Sequence, residues 1–105
     1  MRPLGITANK RSSLVPDWPS LAETMPGFDI TAWFALVGPA GMPKDVVDKL
    51  NASMGQALKS KDAQEKLAGI GIQPVVMTPD QLKTFMASEV SKWVRLVKEA
   101  NIQPE

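Results

Sequence analysis

The sequence predicts an α/β fold in the order strand, loop, strand, helix, helix, strand, long helix. Three observations support this prediction. A short unbroken apolar run at residues 33–38 is bounded by turn residues, and two later stretches repeat apolar residues at helical spacing. A Thr-Pro-Asp-Gln start signal opens the last stretch. With 105 residues, the chain has room for one modest hydrophobic core.

The first predicted element is a short strand. Residues 3–8, PLGITA, combine Leu4 and Ile6 with the β-branched Thr7. A strand at this position needs a partner from elsewhere in the chain. We therefore interpret the beginning of the chain as a sign that it is a piece of a longer protein.

A proline-rich connector follows this strand. Residues 9–19 end in Pro-Asp-Trp-Pro, and each proline fixes its own φ and biases the preceding residue away from helix. Ser20 and Glu23 then have the spacing of a capping box, in which each side chain accepts a backbone hydrogen bond from the other residue. The sequence predicts an extended loop and then one helical turn, which the Pro-Gly pair at residues 26–27 ends.

Residues 33–38, WFALVG, are predicted to form a strand buried on both faces, because the apolar run is short and does not alternate. Helix is the competing interpretation, but five or six residues ending at Gly-Pro is strand length. Pro43 is suited to the first position of the helix that follows. The apolar face of this amphipathic helix of about four turns consists of Val46, Val47, Leu50, Met54, Ala57 and Leu58.

A second, shorter helix is expected after Ser60, whose side chain can cap it. Leu67 and Ile70 are predicted to face inward, and the glycines at 69 and 71 to end this helix. Residues 73–77 then form a brief predicted strand.

The last predicted element is a long helix that begins with Thr78 as cap and Pro79 at its first position. Asn101 is expected to adopt a left-handed conformation at its end, with Ile102 packing back on the last turn. Glu89 is placed on the polar face. The predicted apolar face consists of Leu82, Phe85, Met86, Val90, Trp93, Val94 and Val97.

Composition excludes several classes of function. A formal charge of +1 with interspersed signs gives no basic surface for nucleic acid. Without Cys or His, the usual transition-metal ligands and the commonest general base are missing, so we expect no metal, no cofactor and no catalytic residues. The first residues lack the apolar core of a signal peptide, and no window has the roughly 18 apolar residues of a membrane span.

The candidate ligand-binding residues are Lys10, Arg11 and Ser12, which could hold a carboxylate or phosphate through charge-assisted hydrogen bonds. A solvated loop is the alternative and is favoured, because two basic residues fall far short of a cluster. Gly38 and Gly41 precede a helix, but Pro39 and Pro43 lack the N–H groups that a phosphate-binding loop uses, which favours a structural turn. The aromatic residues are interpreted as core, with Phe34 among them and Trp18 as the exception.

Several motifs occur together in one order: KRSSLVPDWPSLAETMPGF, WFALVGPAGMP, GIGIQP, TPDQL and SKWVRLVKEANIQPE. This chain resembles the C-terminal portion of the Bug family, the TctC-like substrate-binding receptors of tripartite tricarboxylate transporters, over essentially all 105 residues. The departures from the family pattern are Trp18 for an aliphatic residue, Ser20 for Thr, Ala35 for Gly and Met42 for Thr. The last should remove a helix cap worth about 1 kcal/mol.

The resemblance implies a C-terminal fragment of a type II periplasmic-binding-protein fold, which has two lobes with the ligand between them. Residues 1–26 are then a strand and proline-rich connector from the second lobe. Residues 27–105 are the C-terminal part of the first lobe.

By the same resemblance, the parent protein is a periplasmic receptor that binds a small carboxylate and delivers it to transporter membrane subunits. This chain would lack most of the ligand site. The alternative is a standalone structural or interaction module that self-associates as a homo-oligomer through exposed strand edges or apolar helix faces. An enzyme is not expected.

Overall fold

The computed structural model describes residues 2–103. Its elements are a 3₁₀ turn at Leu21–Glu23 and three α-helices: α1 at Lys44–Lys59, α2 at Lys61–Gly69 and α3 at Pro79–Glu99. The chain divides into two compact units. The first comprises the described part of Met1–Ala40 together with Lys66–Gln73, and the second comprises Gly41–Glu65 with the described part of Pro74–Glu105.

Within residues 2–103 no strand forms, which differs from the three predicted strands at residues 3–8, 33–38 and 73–77. Ile6 and Ser20 make an isolated parallel bridge. The Ile6 N–H donates to the Pro19 carbonyl at 2.9 Å, and the Leu21 N–H donates to the Ile6 carbonyl at 2.9 Å. A strand exists only with a neighbouring ladder, and the described residues supply one bridge of it. The strand order therefore stays a prediction.

The helices agree well with the sequence prediction because their signals are local. α1 has 16 residues, as four turns require, but Pro43 occupies the N-cap position and not the predicted first helical position. The cap makes no side-chain hydrogen bond, and Met42 lies one residue before it. The prediction that Met42 occupies the cap position of this helix is therefore wrong by one residue, because that position belongs to Pro43. Ser60 caps α2, accepting the Ala63 N–H at 3.3 Å through its hydroxyl.

The ends of α2 and α3 share one geometry, the Schellman motif. Gly71, at φ 77°, follows α2, and the Ile72 N–H donates to the Leu67 carbonyl at 2.9 Å. Asn101, at φ 52°, follows α3 in the same way, with the Ile102 N–H donating to the Val97 carbonyl at 3.0 Å. The predicted left-handed cap at Asn101 is confirmed.

The start of α3 is also confirmed. Thr78 and Gln81 form a complete capping box, and Pro79 occupies the first turn. The Thr78 hydroxyl accepts the Gln81 N–H at 3.2 Å, and the Gln81 side chain accepts the Thr78 N–H at 2.9 Å. The beginning of this helix is therefore fixed by its own sequence.

Burial differs from the predicted core. None of the hydrophobic side chains within residues 2–103 is fully buried. Phe34 is 84% exposed and Ile70 is 70% exposed, although both were predicted to face inward. On the predicted apolar face of α3, three residues are half-buried: Leu82, Phe85 and Met86. The other four are exposed: Val90, Trp93, Val94 and Val97. Helical periodicity predicted the apolar face of α3, but the described residues leave most of its side chains exposed.

Glu89, in contrast, is more buried than the sequence predicted. It was placed on a polar face, yet it is 8% exposed. The Lys92 ammonium lies 2.5 Å from its carboxylate. A buried carboxylate must be paired, and a lysine one turn later supplies the opposite charge.

The second unit is held by contacts of α1 with α3 and with the segment before α3. The Asn51 amide donates to the Met77 carbonyl at 2.8 Å. Gly55 is buried, and a Cβ atom there would lie 3.2 Å from the nearest methyl carbon of Val76. The missing side chain therefore lets the two segments approach closely.

Candidate functional site

The candidate site lies in the first unit, around the 3₁₀ turn. Ser20 is 2% exposed, and its hydroxyl accepts the Ala22 N–H at 3.1 Å and donates to the Ala8 carbonyl at 2.6 Å. The Ser20 backbone N–H donates to a Glu23 carboxylate oxygen at 3.0 Å. The predicted capping box is thus confirmed. It also joins the turn to the beginning of the chain.

Arg11 binds the same Glu23 carboxylate and shares its Oε1 atom with the Ser20 N–H. Its Nε donates to Oε1 at 2.8 Å and one terminal nitrogen donates to Oε2 at 2.9 Å, so the pair is bidentate. The second terminal nitrogen donates to the Pro16 carbonyl at 3.2 Å. We call this arrangement of Arg11, Glu23 and Ser20 the Arg11–Glu23 clamp. It fixes the connector across 12 residues of sequence.

The clamp changes the acid–base properties of its members. The pKa of Glu23 is lowered to about 2, chiefly by the Arg11 hydrogen bonds and then by the Ser20 N–H. The same hydrogen bonds raise the pKa of Arg11. Both side chains are about half exposed, so solvent screens the pair and its effect on stability is modest.

The structure does not bring Lys10, Arg11 and Ser12 together as a set of free donors. The Ser12 hydroxyl accepts the Leu14 N–H at 3.1 Å, and Arg11 donates to Glu23 and Pro16. Lys10 is exposed. An anion at Arg11 would have to compete with the Glu23 carboxylate for the same N–H groups.

Elsewhere in the described part of the chain, the chemistry is sparse. Residues 2–103 contain no group of three metal-ligating side chains. An open groove of about 430 Å³ follows one side of α3, lined by Asp80, Gln81, Thr84, Phe85 and Ser88. All five residues belong to one helix, so the groove is the surface of α3 rather than a built site. None of the helices in residues 2–103 is long and apolar enough to cross a membrane.

Sequence reasoning found the capping box but missed the clamp. The box depends on residues three positions apart, whereas the Arg11 partner lies across a loop with no periodicity. The sequence places Arg11 a few residues before Pro-Asp-Trp-Pro. Nothing in that pattern shows that its partner is Glu23 and not another carboxylate.

Comparison with known proteins gives the family. The family model described as "Tripartite tricarboxylate transporter family receptor" matches residues 1–102. Protein BugT of Bordetella pertussis is 37% identical over 100 residues, covering 94% of this chain and 31% of that protein. A UPF0065 protein encoded in the tcbD-tcbE intergenic region of a Pseudomonas species is 34% identical over 101 residues, covering 94% of this chain and 30% of that protein.

A solved structure titled "Structure of periplasmic binding protein BugD" superposes on 96% of this chain with a TM-score of 0.78 and 30% sequence identity. The superposition covers 35% of the BugD chain. This chain therefore spans about a third of the length of these three relatives. The description of its family is that of a receptor. By the match over residues 1–102, the chain belongs to the TctC family of tripartite tricarboxylate transporter receptors.

Proposed function

We propose that this chain is part of a solute-binding receptor of a tripartite tricarboxylate transporter. The parent protein binds small carboxylates in the periplasm and delivers them to the membrane subunits of the transporter. The observation that carries the proposal is the family match over residues 1–102. The likeness to BugD, a periplasmic binding protein by its title, supports the same function and location.

The proposal includes the architecture expected from the sequence. The order strand, loop, strand, helix, helix, strand, helix belongs to the type II periplasmic-binding-protein fold. Residues 1–26 come from its second lobe and residues 27–105 form the C-terminal part of its first lobe. The superposition on BugD over 96% of this chain supports placing the chain within such a fold.

The chain itself contributes few contacts to the solute. Of the candidate residues, Arg11 already binds Glu23 in a bidentate pair, and the Ser12 hydroxyl accepts a backbone N–H. Lys10 and Arg11 are both exposed, and Lys10 lies outside the bidentate pair with Glu23, so it is the better placed of the two to meet a carboxylate. A receptor that holds a di- or tricarboxylate needs several such donors, so the others belong to the rest of the receptor.

The test compares this chain alone with a chimera in which it replaces the matching portion of BugD. Calorimetric titration uses a panel of small di- and tricarboxylates. The proposal expects binding by the chimera to at least one of them and none by this chain. A chimera that folds cooperatively but binds no carboxylate would refute the receptor function.

A second candidate is a self-associating module, favoured by the exposure of large apolar side chains on α3 and in residues 33–37. Exposed apolar faces and unpaired backbone would then meet in a second copy. Sedimentation at micromolar concentration is the test. A stable monomer contradicts this candidate, and a concentration-dependent dimer supports it.

A further inference from the structure

The Arg11–Glu23 clamp has the form of a carboxylate-binding site whose ligand belongs to the chain itself. Nε and one terminal nitrogen of Arg11 donate to the two oxygens of one carboxylate, at 2.8 and 2.9 Å. Arginine binds the carboxylates of small acids through the same pair of parallel hydrogen bonds. Because the pKa of Glu23 is lowered to about 2, its side chain is an anion at neutral pH and occupies these donors.

The part of the chain that carries Arg11 is cationic. Residues 2–16 contain three basic residues and no acidic one, and all three are exposed. Lys10 lies directly before Arg11 and adds a second positive charge there. Glu23 has the largest effect on the pKa of Arg11, and the negative charge of Asp17 has a smaller one. Withdrawal of Glu23 would therefore leave positive charge on this segment that favours another anion.

The 3₁₀ turn has hydrogen bonds that do not involve Arg11. The Glu23 carboxylate accepts the Ser20 N–H at 3.0 Å. The Ser20 hydroxyl donates to the Ala8 carbonyl at 2.6 Å and accepts the Ala22 N–H at 3.1 Å. None of these three bonds uses the guanidinium group, so Arg11 can exchange its partner while the turn keeps its own hydrogen bonds.

An incoming anion can reach the ion pair from solvent. The side chain of Arg11 is 49% exposed and that of Glu23 is 44% exposed. An exposed ion pair is favoured over its separated state by about fivefold at most. A second carboxylate can therefore displace Glu23 without the opening of a buried core.

We propose that the Arg11–Glu23 clamp is a latent carboxylate site, which Glu23 closes and a small organic acid opens by taking its place on Arg11. The ligand class is a carboxylate, because the two donors already hold the two oxygens of one. The proposal is independent of the receptor function, since it needs only the residues of the connector.

The substitution Glu23→Gln tests the proposal. Glutamine at this position can keep the capping box, and it removes the charge that closes the site. Succinate is titrated into the 105-residue chain at constant ionic strength, and the NMR signals of the Arg11 Nε–H and of the backbone amides of residues 10–12 are followed. We expect the affinity for succinate to rise by about fivefold or more in Glu23→Gln. Equal affinities in Glu23→Gln and in the unsubstituted chain overturn the proposal.

Two further variants assign the effect to the clamp. Glu65→Gln removes the same charge from an exposed glutamate of α2, which lies 3.7 Å from the Lys61 ammonium, and should leave the affinity at Arg11 unchanged. Adding Arg11→Gln to Glu23→Gln should abolish the gain in affinity at the backbone amides. An equal gain from Glu65→Gln, or a gain that survives Arg11→Gln, contradicts the proposed site.

A second measurement needs no substitution, so it stays decisive if Glu23→Gln fails to fold. As succinate displaces Glu23 from Arg11 in the unsubstituted chain, the NMR signal of the Glu23 carboxyl carbon should move and that of Glu65 should not. A Glu23 signal that stays in place, or equal movement of the two signals, overturns the proposal. This competition is far weaker than the micromolar binding that tests the receptor function, so either proposal can fail without the other.

Discussion

The Arg11–Glu23 clamp makes a quantitative prediction about one carboxyl group. The pKa of Glu23 is lowered to about 2, with the Arg11 hydrogen bonds as the largest cause and the Ser20 N–H as the next. An unperturbed glutamate has a pKa of about 4.3. The substitution Arg11→Gln removes the Arg11 hydrogen bonds, which are the largest cause of the shift, and keeps the Ser20 N–H hydrogen bond. The pKa of Glu23 should therefore rise towards the ordinary value of about 4.3 but stay below it, because the Ser20 N–H hydrogen bond remains.

The assay is an NMR titration of the Glu23 side-chain carboxyl carbon. Lys10→Gln is the matched control, because it removes the same charge one residue earlier without touching the bidentate pair. We expect the pKa of Glu23 in the control to stay at about 2. A pKa near 4.3 in the unsubstituted chain, or equal values in the two variants, would refute the clamp.

The same pKa sets the pH dependence of the clamp. Because the pKa of Glu23 is lowered in the folded chain, the ionised form is favoured by folding, and its contribution is fully present above a pH of about 4.3. The contribution is lost progressively as the pH falls towards about 2. Protection of the Ile6 amide, which donates to Pro19 beside the clamp, should fall over that same interval.

Three further predictions follow from close contacts and caps. Gly5→Ala would place a Cβ atom 2.9 Å from the Pro19 carbonyl oxygen. We therefore expect faster amide exchange at the Ile6–Ser20 bridge, and an unchanged exchange rate would contradict this close contact. Gly55→Val should separate α1 from Val76, where a Cβ atom already lies at 3.2 Å, and the loss of their nuclear Overhauser contacts checks it. Thr78→Ala should destabilise the start of α3 by about 1 kcal/mol, measured by amide exchange in its first turn, whereas Thr78→Ser should retain the cap.

What the sequence could predict was local. The capping boxes at Ser20 and Thr78 and the left-handed Asn101 depend on residues within one or two turns, and all three occur in the structure. The predicted strand at residues 33–38 did not form in the described chain, because a strand is stabilised by a neighbour and not by its own residues.

The remaining differences concern the burial of one side chain and a contact across a loop, which local sequence patterns do not report. Periodicity placed Glu89 on a solvated face, but the orientation of α3 buries it beside Lys92. Arg11 was considered as a ligand for an anion, while the folded loop presents it to the Glu23 carboxylate. Lys92 lies one turn after Glu89, but this spacing does not show that the pair is buried, and no spacing indicates Glu23 as the partner of Arg11. The ligand role of Lys10, Arg11 and Ser12 stays a prediction.

The central claim is that this chain carries a part of the receptor fold while most of the solute contacts lie elsewhere in the receptor. Calorimetric titration of small di- and tricarboxylates into the 105-residue chain tests it most directly. The claim predicts only heats of dilution, for the unsubstituted chain and for Lys10→Gln alike. Micromolar or tighter binding by the chain alone, lost in Lys10→Gln, would contradict the claim and place the solute on the connector.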